Sequence, residues 1–449
     1  MSTLPRRPFP HPSWAWPEGR RHLLITAAIC PDRVRALEAI SNWLDTTSLD
    51  DTVFSEHRLL AAITSRFDAE LRVRPEYPRL QGMQRLNWTR SRLASATAVP
   101  ALAQMVAQGI EPVLLKGAGR VAMDVAEQKS RTAYDIDVLV CEEDFAAAFE
   151  ILAAGQWLST RGESAMGLRA RLSTVRARNF KKGHFGDIDL HRSPYHFGQA
   201  DPLLDAVLFI EATSANYYGV AVRVPAVEER LCLALAHGGR DAGGHSDWLV
   251  DMARMIESES IDWDKVVRIA RQRRIVGVAC VVLSYLADGL ALPIPASAMK
   301  QLAPHPRWTG LLHPMAFLIA KDNARFSRVA GWVSALSNGW DRSKHSGRSA
   351  SLDTPRLIAL TRRRARVTGA RLEQPLETVP ALAAGHYRID LTLALEGLSR
   401  IRRVDLELNS QVRNLAHFRA FNVWKCRDGL TVRFRGVIRL AADDYPLTL

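Results

Sequence analysis

Tyr134-Asp135-Ile136-Asp137-Val138-Leu139-Val140 sets two carboxylates two residues apart in an apolar run. Such a run reads as a strand. Side chains alternate along a strand, so Asp135 and Asp137 share one face while Ile136 and Val138 turn to the other. Two carboxylates on one face repel unless a cation lies between them or water screens both. A divalent metal is the usual resolution, and Mg²⁺ takes one or two carboxylates together with substrate phosphates. Gly186-Asp187-Ile188-Asp189-Leu190-His191 repeats the theme. A neighbouring strand that brings Asp189 beside Asp135 and Asp137 gives three carboxylates, enough for two metals. Two-metal sites activate an attacking oxygen and stabilise a leaving phosphate. Upstream, Leu115-Lys116-Gly117-Ala118-Gly119 joins a strand to a helix. Glycine there allows backbone to approach a phosphate, and Lys116 supplies a point charge for a triphosphate.

Each piece alone has a plainer explanation: a surface strand end, an ordinary strand-to-helix connection, a solvated or capping Asp189. The order of the pieces singles them out. Among lesser candidates, Arg131 either steers phosphates or braces the Asp strand, and bracing is favoured. Lys181, Lys182 and His184 read as a solvated basic loop before they read as a phosphate or acceptor lip. His191 is read as structural, directed away from Asp189. His237 and Asp251 are expected to pair in a core, and Trp248 and Trp263 to be core residues.

The elements that must hold these residues show in the periodicity. Residues 1–20 read as a loose arm. Residues 21–108 read as helical, with pieces at Arg33–Leu44, His57–Leu71 and Trp88–Ala107, the last stopping at Gly109. Between 109 and 225 a strand over 112–116, a helix over 118–128, a strand over 136–140, a helix over 142–154 and a strand at 188–190 make a small sheet domain. Residues 226–342 are helical again, and 343–385, with its arginines at 362–366, read as a linker. Residues 386–449 alternate with a period near two and carry an Asp428-Gly429 hairpin signal, so a β-rich C-terminal module is expected. The fold class is α+β.

Composition sets broad limits. The formal net charge is +13, and only nine of the sixty basic residues are Lys. The arginines are scattered, so this charge lends weak support to a phosphate-bearing substrate. Nucleic-acid binding ranks last, because no basic motif interleaved with aromatics stands out. The five cysteines are too far apart for a zinc site or a disulfide framework and suit a reducing compartment. With no apolar leader and no membrane-length apolar run, a cytoplasmic protein is expected.

The order Val113-Leu114-Leu115-Lys116-Gly117, Arg131, Asp135-Ile136-Asp137-Val138-Leu139-Val140 and Ile188-Asp189-Leu190-His191 resembles the DNA polymerase β-like nucleotidyltransferase superfamily. More closely, it resembles the bacterial family of uncharacterised nucleotidyltransferases, NTP_transf_5. Leu231 to His237, Trp248-Leu249-Val250-Asp251 and Asp262-Trp263-Asp264 resemble that family's helical tail, and the resemblance covers roughly 57–274. It implies a small mixed-sheet polymerase β-like core flanked by helices. Asp135, Asp137 and Asp189 would be catalytic and would hold Mg²⁺ or Mn²⁺, with Asp189 helping to deprotonate an acceptor hydroxyl. Lys116, Gly117 and Arg131 would contact an NTP. The acceptor is open: a small molecule, a peptide or a protein. The superfamily usually follows the glycine with Ser, whereas Ala118 stands here. The alternative is therefore a protein that holds a nucleotide or partner without turnover.

Overall fold

Apolar spacing becomes helix packing at once in the N-terminal region. Arg33–Thr46 turns Ala36, Ala39, Ile40, Trp43 and Leu44 inward, the stripe a 3.6-residue period produces. Asp32 caps it, accepting from the amides of Val34 and Arg35 at 3.0 and 3.1 Å. The structure, a computed structural model, describes residues 12–162, 165–169, 172, 175–196, 199–241 and 245–302. It also describes the strand backbones 356–366, 385–396, 403–408, 411–417 and 430–440.

In chain order come α1 (Gly19–Ile29), α2 (Arg33–Thr46), α3 (Phe54–Arg66), α4 (Asp68–Leu71) and α5 (Tyr77–Ala107). Strand β1 (Val113–Leu114), helix α6 (Lys116–Met123) and strand β2 (Ile136–Leu139) follow. Next are α7 (Phe145–Ala154), β3 (Leu158–Ser159), α8 (Ala165–Arg169), β4 (Ala177–Lys182) and β5 (Gly186–His191). Then come α9 (Pro202–Glu211), β6 (Thr213–Tyr217) and β7 (Val220–Val224). Helices α10 (Val227–Asp241), α11 (Asp247–Ser258), α12 (Trp263–Gln272), α13 (Val276–Ser284) and α14 (Ala296–Leu302) follow. The strands β8 (Arg356–Arg366), β9 (Gly385–Glu396), β10 (Arg403–Leu408), β11 (Gln411–His417) and β12 (Leu430–Leu440) come last.

Contacts divide the described residues into two units: those within 1–144 and 183–347, and those within 145–182 and 348–449. In the first, five strands of the chain's mixed sheet run in the order β5-β2-β1-β7-β6. β1 is antiparallel to β2 and parallel to β7, while β2 is parallel to β5. Helices of this unit, among them α1, α2, α3, α10, α11 and α13, bury one large apolar cluster, with Trp43, Leu60, Leu235 and Val282 at its interior. In the second unit β3 pairs antiparallel with β4, and β9 lies between β12 and β8. Chain segment 343–385, expected as a linker, contains β8; the hairpin signal at Asp428-Gly429 lies outside the described residues.

Element ends differ from the periodic reading for local reasons. α5 starts at Tyr77 rather than near Trp88, with Pro78 in its first turn, where a missing amide costs nothing. It stops where expected: Gly109 takes φ +80°, and the amides of Gly109 and Ile110 return to Val106 and Met105 at 3.0 Å. α6 ends at Met123 rather than near Gln128. Asp124 breaks out of the helix and caps a short turn, accepting from Ala126 at 2.9 Å. The β6–β7 hairpin, absent from the periodic reading, turns on Tyr218 and Gly219, both at positive φ. No described helix is long and apolar enough to cross a membrane.

Candidate functional site

β2 and β5 lie side by side in parallel, and their register pairs Asp137 with Asp189 and Leu139 with His191. Ile136, Val138, Ile188 and Leu190 are fully buried and fix that register, because a one-residue slip would put carboxylates into the core. Asp137 is itself buried, its side chain only 3% exposed, and Asp189 is 17% exposed. Asp135 stands one residue ahead of β2 and is partly exposed.

Lys116 meets this pair from the start of α6. Its Nζ donates to Asp137 Oδ1 at 2.6 Å. Lys116 holds φ +49°, a left-handed conformation that a side chain with a Cβ adopts at a cost of roughly 1 kcal/mol or more. Gly117, the expected phosphate glycine, is needed for packing: a Cβ there would lie 3.2 Å from Ala133 Cβ and 3.3 Å from Arg131 Cζ. Gly119 is tighter still, with its Cβ position 2.6 Å from the Leu114 carbonyl oxygen. The two glycines therefore let α6 lie close on β1 and on Arg131.

His191 corrects the sequence reading. Residues 189 and 191 are two apart, so the strand period places them on the same face, not opposite ones. His191 Nε2 lies 3.0 Å from Asp189 Oδ2 and 3.1 Å from Asp137 Oδ1, and the ring is 1% exposed. The electrostatics follow. Burial would push the Asp137 carboxyl up, but the Lys116 ammonium and His191 outweigh it and hold it well below the usual carboxylate range. Burial pulls His191 down, and Asp189 and Asp137 outweigh that and raise it. Burial likewise acts against the Lys116 charge, and Asp137, Asp135 and Asp189 more than restore it.

Arg131 belongs to a second, buried charge cluster. Its Nε donates to both oxygens of Asp251 at 2.8 and 2.9 Å, and its Nη1 contacts Asp247 and the Thr132 carbonyl. Arg58 reaches Asp247 at 2.8 Å, and Arg120 reaches Asp251 at 2.8 Å. Asp247 and Asp251 are four apart on α11 and so share a face. Sequence reading missed Asp247 and expected Asp251 to pair with His237. Asp251 instead receives the two arginines, and His237 Nε2 meets the Pro194 carbonyl at 2.6 Å. Trp248 is buried, and Trp263 packs partly buried against the core. Lys181, Lys182 and His184 are exposed.

A cavity of about 510 Å³ opens at the turn, lined among others by Lys116, Gly117, Asp135, Asp137, Arg131 and Trp248. That volume lies in the ordinary range for a small-molecule site. Next to it, Asp137, Asp189 and His191 form the one group among the described residues able to hold a metal ion, with ligand atoms all within 4.8 Å of one another. Asp135 is not part of that group. Two donors in adjacent positions around an octahedral ion at about 2.1 Å lie about 3.0 Å apart, close to the spacing of His191 Nε2 from each carboxylate. Asp189 Oδ1 is buried without a hydrogen-bond partner, an acceptor that a cation would satisfy. These residues fit a divalent cation, and the imidazole widens the choice beyond Mg²⁺ toward first-row transition ions.

No curated protein matches the chain. A family model does, over residues 52–290, more than half of the chain, and its span takes in Lys116, the Asp135–Asp137 strand, the Asp189–His191 strand and both acids of α11. The chain belongs to that family, the uncharacterised nucleotidyltransferases (NTP_transf_5).

Proposed function

We propose that this chain transfers a nucleotidyl group from an NTP to an acceptor hydroxyl or phosphate, on a polymerase β-like core, with Mg²⁺ or Mn²⁺ as its ion. The observation that carries the reading is the β2–β5 register, which sets Asp137 beside Asp189 with Lys116 in contact, in a chain of a nucleotidyltransferase family. Asp135, Asp137 and Asp189 are the carboxylates of the centre, and His191 joins them. A bound divalent ion supplies charge neutralisation at the phosphates as the new bond forms. Asp189 takes the proton of the acceptor hydroxyl. Lys116 and Gly117 border the cavity where a triphosphate would lie. Arg131 braces the floor of the turn through Asp247 and Asp251. The acceptor is a small molecule, a peptide or a protein, and nucleic acid ranks behind these.

Incubation with radiolabelled NTPs, Mg²⁺ or Mn²⁺ and candidate acceptors tests this. Label transfer with pyrophosphate release is expected, and Asp137→Asn should lower it at least about a hundredfold, as loss of a charge-stabilising group does. Full transfer by Asp137→Asn would refute the assignment. A second reading, nucleotide holding without turnover, is favoured by the commitment of Lys116 to Asp137 and by Ala118 at the position after the glycine. Calorimetric NTP binding with no pyrophosphate release would establish it.

A further inference from the structure

Asp137 Oδ1 is shared. Lys116 Nζ lies 2.6 Å from it, and His191 Nε2, which also reaches Asp189, lies 3.1 Å from it. In a two-metal centre one carboxylate typically faces both ions. Here an ammonium already faces Asp137, and the Asp189–His191 pair offers the other place. The backbone points the same way. Lys116 sits at φ +49° although glycine would occupy that conformation freely, and the strain is retained at the residue whose side chain reaches the carboxylate. Charge agrees as well. Three carboxylates with one ammonium leave two negative charges for one divalent ion, whereas three alone would leave room for more.

We propose that Lys116 is a resident cation standing in for one of the two metals, so that this centre takes a single divalent ion on Asp137, Asp189 and His191. This deepens the reading above and rests on its metal centre. Asp135, which lines the cavity with Lys116, then faces the ammonium and the incoming phosphates instead of a second ion. Lys116 acts here through charge and position, and it need not leave Asp137 for the ion to bind.

The test counts Mn²⁺ on the full chain without nucleotide, by electron paramagnetic resonance and calorimetry. Wild type should bind one Mn²⁺. Lys116→Gly removes the ammonium while suiting the left-handed backbone, and Lys116→Met removes it while keeping bulk. Both should bind a second Mn²⁺, and the first should bind at least about tenfold tighter, since a unit charge and a divalent ion a few ångströms apart repel by that much even in water. Circular dichroism and melting curves check folding, and Lys116→Arg should keep a count of one. Asp135→Asn in an otherwise wild-type chain should keep the count at one, its affinity weakened by no more than the about tenfold that loss of one nearby unit charge produces, which tests the idea without altering Lys116. Two ions on wild type would overturn the proposal. So would folded Lys116 variants with wild-type count and affinity, or loss of the ion in Asp135→Asn. One ion in every chain leaves the metal centre standing and removes the role of Lys116. No ion in any chain removes both.

Discussion

Gly238→Ala should unseat the helix pair that carries Asp247 and Asp251. Gly238 lies within α10, and a Cβ there would fall 2.1 Å from Trp248 Cδ2 and 2.4 and 2.5 Å from two more atoms of the same indole. Ordinary contact needs about 3.4 Å or more, so Trp248 or the helix must move by more than an ångström. Trp248 is 5% exposed and packed into the apolar core, so a shift of that size breaks its contacts there even though one side borders the cavity. Overpacking of this kind costs about 3 kcal/mol at the upper end of its usual range. Alanine in a helix interior returns about 1 kcal/mol relative to glycine, which leaves a loss of about 2 kcal/mol. In a unit of this size that lowers Tm by on the order of 4 °C. The assay is a double-mutant cycle by urea unfolding with Gly238→Ala, Trp248→Leu and the pair. Coupling of at least about 1 kcal/mol, with the pair more stable than the two single losses predict, is expected for residues in contact. Additive losses, or a stable Gly238→Ala, would show that the α10–α11 approach does not rest on this contact.

The buried acids give a pH signature. Burial would raise the Asp247 carboxyl, but Arg131 and Arg58 hold it well below the usual range, so its folded pKa lies under its unfolded one. Its contribution to stability is present above the unfolded pKa, about 3.9, and is lost as pH falls toward the folded value. Asp247→Asn should therefore destabilise by about 3 kcal/mol at pH 7, as breaking a buried pair does, and the gap from wild type in urea midpoint should narrow below pH 4. A gap that stays constant from pH 7 to pH 3 would count against the pairing. Mn²⁺ at a hundred times its Kd should stabilise the wild type by about 2.7 kcal/mol. His191→Ala and Asp189→Asn should each weaken that ion at least about tenfold; an unchanged thermal shift in both would move the site elsewhere.

Much of this site was legible in the chain, and the illegible parts have physical causes. The strand bearing Asp137, with Asp135 one residue ahead of it, could be read from alternation, since Ile136 and Val138 are the apolar residues it buries. The pairing of Asp137 with Asp189 could only be conjectured, because register depends on which apolar residues meet across fifty residues of chain. His191 was open to reading: the period of two that joined Asp135 to Asp137 joins Asp189 to His191 in the same way. Lys116 shows a different limit. Its type and its place before Gly117 marked it as a cation near phosphates. The carboxylate that claims it was hidden, because that choice is made by a left-handed backbone angle which no residue preference announces for lysine.

Arg131 shows how position and role separate. Sequence placed it near the aspartates, and bracing was favoured; what it braces comes from α11, more than a hundred residues on. The i, i+4 spacing of Asp247 and Asp251 is a local signal for a shared face, but nothing local says that an arginine will fill it. Once filled, that contact ties the helical region to the turn: Arg131 lies directly under Gly117, and Gly117 follows the lysine that holds Asp137. The Arg131 charge also acts on Asp135 itself, so α11 is linked to the carboxylates by packing and by charge.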